Sequence, residues 1–136
     1  MSNDNAQLLN GVYEAFGRGD METVMAAFAE DIEWNSPAVL PHAMTLRGRD
    51  GVGGFFENLG ATWENFGIEI DAVFGSGDRA CGIGKAHGTL DGTPASYGFV
   101  HAWTIRDGML VRFDEYVDPS PELIAAAATK LAAATA

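Results

Sequence analysis

Two aromatic-rich runs flank Arg106-Asp107-Gly108, and the stretch from Tyr97 to Asp118 constrains the chain more tightly than any other. Asp-Gly between alternating apolar runs predicts a β-hairpin with a tight turn. Successive strand residues point to opposite faces. Tyr97, Phe99, His101, Trp103 and Ile105 therefore share one face of the first strand. On the second strand Met109, Val111, Phe113, Glu115 and Val117 share a face. Leu110, Arg112, Asp114, Tyr116 and Asp118 share the other. Burial of the more apolar faces puts one imidazole, His101, and one carboxylate, Glu115, among aromatics on adjacent strands. Either group buried alone is costly. The two must satisfy each other or line a polar patch in a pocket.

The rest of the chain supplies helices to cover that face. Leu9, Val12, Tyr13 and Phe16 recur at helical spacing, with a cap expected between Asn3 and Asn5 and a stop at Gly17-Arg18-Gly19. Asp20 is expected to cap a second helix carrying Met21, Val24, Met25 and Phe28 on one side. Ile32, Trp34 and Ser36 alternate as a short strand that Pro37 ends. A proline-rich loop over 37–44, holding His42, follows. Asp50 is expected to cap a third helix with Val52, Phe55, Phe56, Leu59 and Trp63. Phe66, Ile68 and Ile70 form a strand, and Gly75-Ser76-Gly77-Asp78 a turn. In the strand from Arg79 to Thr89, Ala80, Gly82, Gly84, Ala86 and Gly88 form a face with almost no side chain. Something large is expected to pack there. Cys81, Ile83, Lys85 and His87 face the other way, as a candidate interface. Ser120 and Pro121 open a last helix anchored by Leu123, Ile124 and Leu131. This order predicts an α+β fold, with helices on one face of a mostly antiparallel sheet, as one domain over residues 1–136.

Charge excludes one class of partner. The formal net charge is −11, whereas phosphate binding needs clustered Lys and Arg, so no nucleic-acid partner is expected. No apolar run approaches the ~20 residues that cross a bilayer, and MSNDNAQ lacks the basic and apolar parts of a signal peptide. Cys81 is the only cysteine, which rules out an internal disulfide and suits a reducing, cytoplasmic setting. His42, His87 and His101 show no metal-ligand spacing, and no metal is expected.

The pieces GVYEAFGRGDMETVMAAFAEDIEWNSP, LRGRDGV and FVHAWTIRDGMLVRFDEYVD resemble the SnoaL-like group of the nuclear transport factor 2-like superfamily. That superfamily also holds ketosteroid isomerases and limonene epoxide hydrolases. The resemblance implies a strongly curved sheet around a conical pocket, helices over its concave face, and often a homodimer joined through the outer face. It also implies pocket positions at Tyr13, Phe16, Trp34, Ser36 and Phe55, with Ala80, Gly82 and Gly84 kept small to leave room for a ligand. His101, Phe113 and Glu115, flanked by Phe99 and Trp103, become the floor.

Departures from the family's reactions are equally specific. Ser36 stands where ketosteroid isomerases carry their aspartate base, and a serine does not shuttle that proton near neutral pH. His101 stands where they carry a protonated aspartic acid, and a histidine can donate there. The epoxide hydrolase set, an arginine and an aspartate at the positions of Gly82 and Gly84 with a second aspartate at Glu115, is lost except for the last carboxylate.

Two readings of His101 follow: a general acid/base oriented by Glu115, or a buried histidine satisfied by a neighbour. Glu115 is that partner or a mate for Arg112 or Arg106. The first functional expectation is a cofactor-free enzyme moving a proton on a small, apolar carbonyl compound, as isomerase, cyclase, lyase or hydratase. His101 and Glu115 would be catalytic, and Tyr13, Trp34 and Ser36 would position the ligand. The second is a non-catalytic binder of a small hydrophobic molecule, and the third a dimeric module with a filled pocket.

Overall fold

The structure, a computed structural model, describes residues 4–37, 40 and 45–135. Helices α1 (Asp4–Gly17) and α2 (Met21–Ala26) precede β1 (Phe28–Asn35), β2 (Thr45–Arg47) and α3 (Arg49–Thr62). Four longer strands follow: β3 (Glu64–Ser76), β4 (Arg79–Leu90), β5 (Thr93–Arg106) and β6 (Met109–Pro119). Helix α4 (Pro121–Thr135) comes last. The six strands form one sheet in the order β2-β1-β6-β5-β4-β3. Every pairing is antiparallel except β1 with β6. The result is the expected α+β architecture, a curved sheet with helices on its concave side.

The hairpin that dominates the sequence forms as predicted. Asp107 and Gly108 both take positive φ, at 52° and 75°, as a tight turn matched to right-handed strand twist requires. Asp91 and Gly92 repeat the device at 48° and 81°. Tyr97, Phe99, His101, Trp103 and Ile105 are all buried. On β6 the strict alternation breaks near the turn. Thr104 pairs with Arg112 but Ile105 pairs with Leu110, so Val111 is an extra, bulged residue. Leu110, expected on the outer face, is consequently fully buried.

Most element ends hold. Asp20 caps α2, accepting from the Thr23 backbone N–H at 3.2 Å and its hydroxyl at 2.6 Å. Ser120 caps α4, accepting from the Leu123 N–H at 3.2 Å. Others shift. Helix α2 stops at Ala26, and Phe28 instead opens β1 as a core residue. Gly48, not Asp50, is the N-cap of α3, because its φ of 87° swings the chain out of β2. Asp50 sits in the first turn, where its charge complements the helix dipole. Trp63 lies just past α3 in extended backbone. Asn5 spends its amide on the Gly77 carbonyl at 2.8 Å rather than capping α1. Leu123 anchors α4, whereas Ile124 is exposed. His42, Asn3, most of the 37–44 loop and the Leu131 side chain lie outside the described residues.

The core fills the concavity in two adjoining patches. One sets Leu9, Val12 and Ala15 of α1 with Val52 and Phe55 of α3 against Phe28, Trp34, Trp103 and Phe113. The other sets Leu59, Trp63 and Leu123 against Ala86, Tyr97 and Phe99. Edge and face contacts between rings run through the first, including Trp34 over Phe113 at 4.0 Å between centroids. Such pairs add about 0.5–1.5 kcal/mol each beyond area burial.

Candidate active site

His101 and Glu115 face each other across the β5–β6 ladder as a directly paired couple. Their side chains meet, with His101 Nε2 at 3.0 Å from Glu115 Oε2. Both residues are over nine-tenths buried. Arg112 and Arg106, the alternative mates for Glu115, are engaged elsewhere. Arg112 binds Glu33 and Asp114, and Arg106 lies near Asp78.

A line of hydrogen bonds extends from the pair in both directions. Ser36 Oγ donates to Glu115 Oε1 at 3.0 Å. The Tyr13 hydroxyl lies 2.8 Å from His101 Nδ1, and Trp103 Nε1 donates to that same hydroxyl at 3.0 Å. Donor and acceptor roles select one arrangement. A carboxylate only accepts, so Nε2 carries the hydrogen and Nδ1 accepts from Tyr13. Tyr13 in turn accepts from the indole, which can only donate. The sequence Trp103→Tyr13→His101→Glu115←Ser36 then leaves no member of the line unpaired. Burial pushes the Tyr13 phenol well above its usual range; the Trp103 hydrogen bond opposes this and the Glu115 charge adds to it. Tyr13 is therefore a neutral hydroxyl across the physiological range.

The network borders a cavity of 70 Å³. Tyr13, Phe16, Trp34, Phe55, Phe99, His101, Trp103, Phe113 and Glu115 line it, as the sequence suggested. Phe28, Phe56, Phe66, Ile68 and Tyr97 line it too. Tyr97 was legible, since it shares the strand face of His101; Phe28 was hidden by its assignment to a helix. The lining is almost wholly apolar. An engineered cavity of about 150 Å³ holds benzene, and drug-sized ligands take about 300–1,000 Å³. The space as it stands suits a molecule of few non-hydrogen atoms.

Four expected pocket residues stand elsewhere, Ala80 among them as a member of the packed core. Ser36 contacts Glu115 and is absent from the lining. Gly82 and Gly84 are absent too, and their small size serves other neighbours. A Cβ on Gly82 would collide with the Tyr13 hydroxyl and come within 2.6 Å of its Cε2. A Cβ on Gly84 would collide with the Glu69 carbonyl and lie 3.0 Å from the Phe99 ring. The bare strand face was correctly read as a seat for something large, but its occupants include Tyr13 and the Trp63 ring against Gly88. Cys81 and His87 lie on the opposite side of β4, on the sheet's outer face. Among the described residues, no cluster of three or more His, Cys, Asp or Glu is placed to hold a metal ion.

Comparison with known proteins agrees with this architecture. A profile of the SnoaL-like domain matches residues 9–113. An NTF2-like protein from Burkholderia thailandensis is 31% identical, with 90% of this chain and 95% of that one covered and a TM-score of 0.81. An NTF2-like protein of unknown function from Burkholderia pseudomallei is 30% identical, covering 86% and 92%, with a TM-score of 0.78. TerC, crystallised with polyporic acid, is 27% identical, covering 85% and 92%, with a TM-score of 0.76. No curated protein matches the chain. With the profile spanning well over half of its length and the NTF2-like fold in place, the chain belongs to the SnoaL-like domain family.

Proposed function

We propose that the protein is an enzyme that moves a proton on a small, mostly apolar carbonyl compound, as an isomerase, cyclase, lyase or hydratase. The observation that carries this reading is the 3.0 Å contact of His101 with Glu115 at the wall of an apolar cavity. Titratable groups in such clefts concentrate at active sites. In this scheme the C–H bond beside the carbonyl breaks and its proton passes to the Tyr13 oxygen. Tyr13 passes its own proton to His101 Nδ1 in the same step, because burial disfavours a free phenolate. The imidazolium so formed is stabilised by Glu115, which Ser36 holds in place. Return of the proton at another carbon completes an isomerisation. The same reading includes a cytoplasmic setting and a homodimer through the outer face, where Ile83, Val100 and Tyr116 align in register across β4, β5 and β6.

The test is exchange of α-hydrogen for deuterium in D₂O, followed by NMR on small ketones such as acetone. The wild type should accelerate exchange, and His101→Ala should abolish the acceleration while binding persists. Full exchange activity in His101→Ala would end the acid/base assignment. The nearly all-apolar lining supports a second reading, a non-catalytic binder of a small hydrophobic molecule. That reading expects ligand-dependent rises in melting temperature with no exchange.

A further inference from the structure

The line of hydrogen bonds through His101 leaves out one buried donor. Among the described residues, Trp34 Nε1 is the only buried side-chain nitrogen or oxygen with no hydrogen-bond partner. Trp34 is 3% exposed, so water in bulk does not reach it. Its indole is packed by Phe28, Phe55, Trp103 and Phe113, with centroid separations of 4.0–5.7 Å. None of Phe28, Phe55 and Phe113 carries a side-chain acceptor, and Trp103 Nε1 is itself a donor committed to Tyr13. Trp34 also lines the cavity. Buried donors are paired in the great majority of cases, and each exception calls for an explanation. A phenylalanine would pack the same space without the stranded N–H. The second tryptophan of this wall, Trp103, shows the rule being obeyed a few ångströms away.

We infer that Trp34 Nε1 is a ligand-binding donor, and that the cavity takes small neutral molecules bearing one hydrogen-bond acceptor, with a carbonyl oxygen as the best fit. The acceptor fixes one end of the ligand at Trp34 and leaves its hydrocarbon part against the phenylalanines. The Glu115 carboxylate bordering the same cavity disfavours an anionic ligand, and the small volume disfavours a bulky one. The inference rests on the cavity being a ligand site, but not on catalysis by His101.

The experiment uses two probes of nearly one shape, acetone and isobutene, which are small enough for the cavity and differ in presenting C=O or C=CH₂. Indole N–H resonances of ¹⁵N-labelled protein are followed during titration, with Trp34→Phe assigning the Trp34 signal. The wild type should bind the ketone about tenfold more tightly than the hydrocarbon, the worth of one hydrogen bond. The Trp34 N–H signal should move downfield with the ketone and not with the hydrocarbon. Trp34→Phe should bring the ketone preference to within about twofold of unity. A Trp34 signal unmoved by the ketone overturns the inference, as does a preference that survives Trp34→Phe. If the preference instead vanishes in Tyr13→Phe alone, the acceptor site belongs to Tyr13; the inference is then wrong while the proposed acid/base function stands. Failure of the ketone to bind overturns the ligand class. Loss of α-hydrogen exchange with the ketone preference intact in wild type would retire the enzyme reading and keep this one.

Discussion

Tyr13 and Gly82 share one space: the ring from α1 stands where any side chain at position 82 would begin. The hydroxyl of that ring is the atom that receives Trp103 and reaches His101. A strand glycine, with no side chain at all, thus sets the position of the hydroxyl through which the proposed proton transfer would run.

Gly82→Ala should therefore displace Tyr13 from His101. Overpacking of this kind costs about 1–3 kcal/mol, which denaturant unfolding will register. A shift of about 1 Å at a reacting group can lower a rate by about a hundredfold, so α-hydrogen exchange should fall by at least tenfold. Wild-type stability and exchange in Gly82→Ala would show that the ring relocates freely and that the notch is unimportant.

Tyr13→Phe removes one oxygen and strands two partners. Trp103 Nε1 loses its acceptor and His101 Nδ1 loses its donor, both in buried surroundings. Each unsatisfied group costs about 1–3 kcal/mol, so a total loss of about 2–6 kcal/mol is expected despite conserved shape. The Trp103 indole N–H resonance should move upfield. A variant as stable as wild type would mean that water enters to replace the hydroxyl.

The meeting of His101 and Glu115 was legible from the strand faces, not from the register. Period-two alternation sorts the side chains and burial selects the more apolar face of each run. The Asp107-Gly108 turn by itself would set His101 opposite Asp114, and the bulge at Val111 moves the register by one residue to Glu115. The position of Leu110 was not legible, since the bulge at Val111 breaks the alternation without a glycine or proline to mark it. Strand β2 was missed for its length; three residues show no pattern. The glycines of β4 were readable as an unusual surface, but not their occupants. Tyr13 and Glu69 approach Gly82 and Gly84 through tertiary packing and a bulge in β3 between Ile70 and Ala72. Sequence spacing along β4 carries no trace of either.

Alkaline pH should destabilise the protein in a defined direction. Burial first, then the Glu115 charge, raises the Tyr97 phenol above its ordinary value, and burial does the same for Tyr13. In the unfolded chain both ionise near 10.0. Above that pH the unfolded state binds fewer protons than the folded one, so stability falls as pH rises. Each group contributes a slope of up to about 1.4 kcal/mol per pH unit. Urea unfolding between pH 9 and about 11.5 should show the decline starting near pH 10. Tyrosinate absorbance for two of the three tyrosines should appear only with unfolding. Early ionisation of all three in the folded protein would contradict the burial of Tyr13 and Tyr97.

The buried His101–Glu115 couple should be dispensable for folding. Removing one member leaves the other in an apolar wall: His101→Phe strands the Glu115 carboxylate with only Ser36 as a side-chain partner, at a cost of roughly 3 kcal/mol. Removing both leaves no charge to satisfy, and buried polar pairs replaced by apolar groups of similar volume are often neutral or stabilising. His101→Phe combined with Glu115→Leu should thus be more stable than His101→Phe alone, by about 2 kcal/mol or more. Denaturant unfolding of the four proteins in the cycle measures this. Recovery of stability without recovery of exchange would mean that the pair is retained for chemistry. A double variant as unstable as the sum of its singles would instead make the couple a structural tie between β5 and β6, and would remove the strongest reason to place catalysis there.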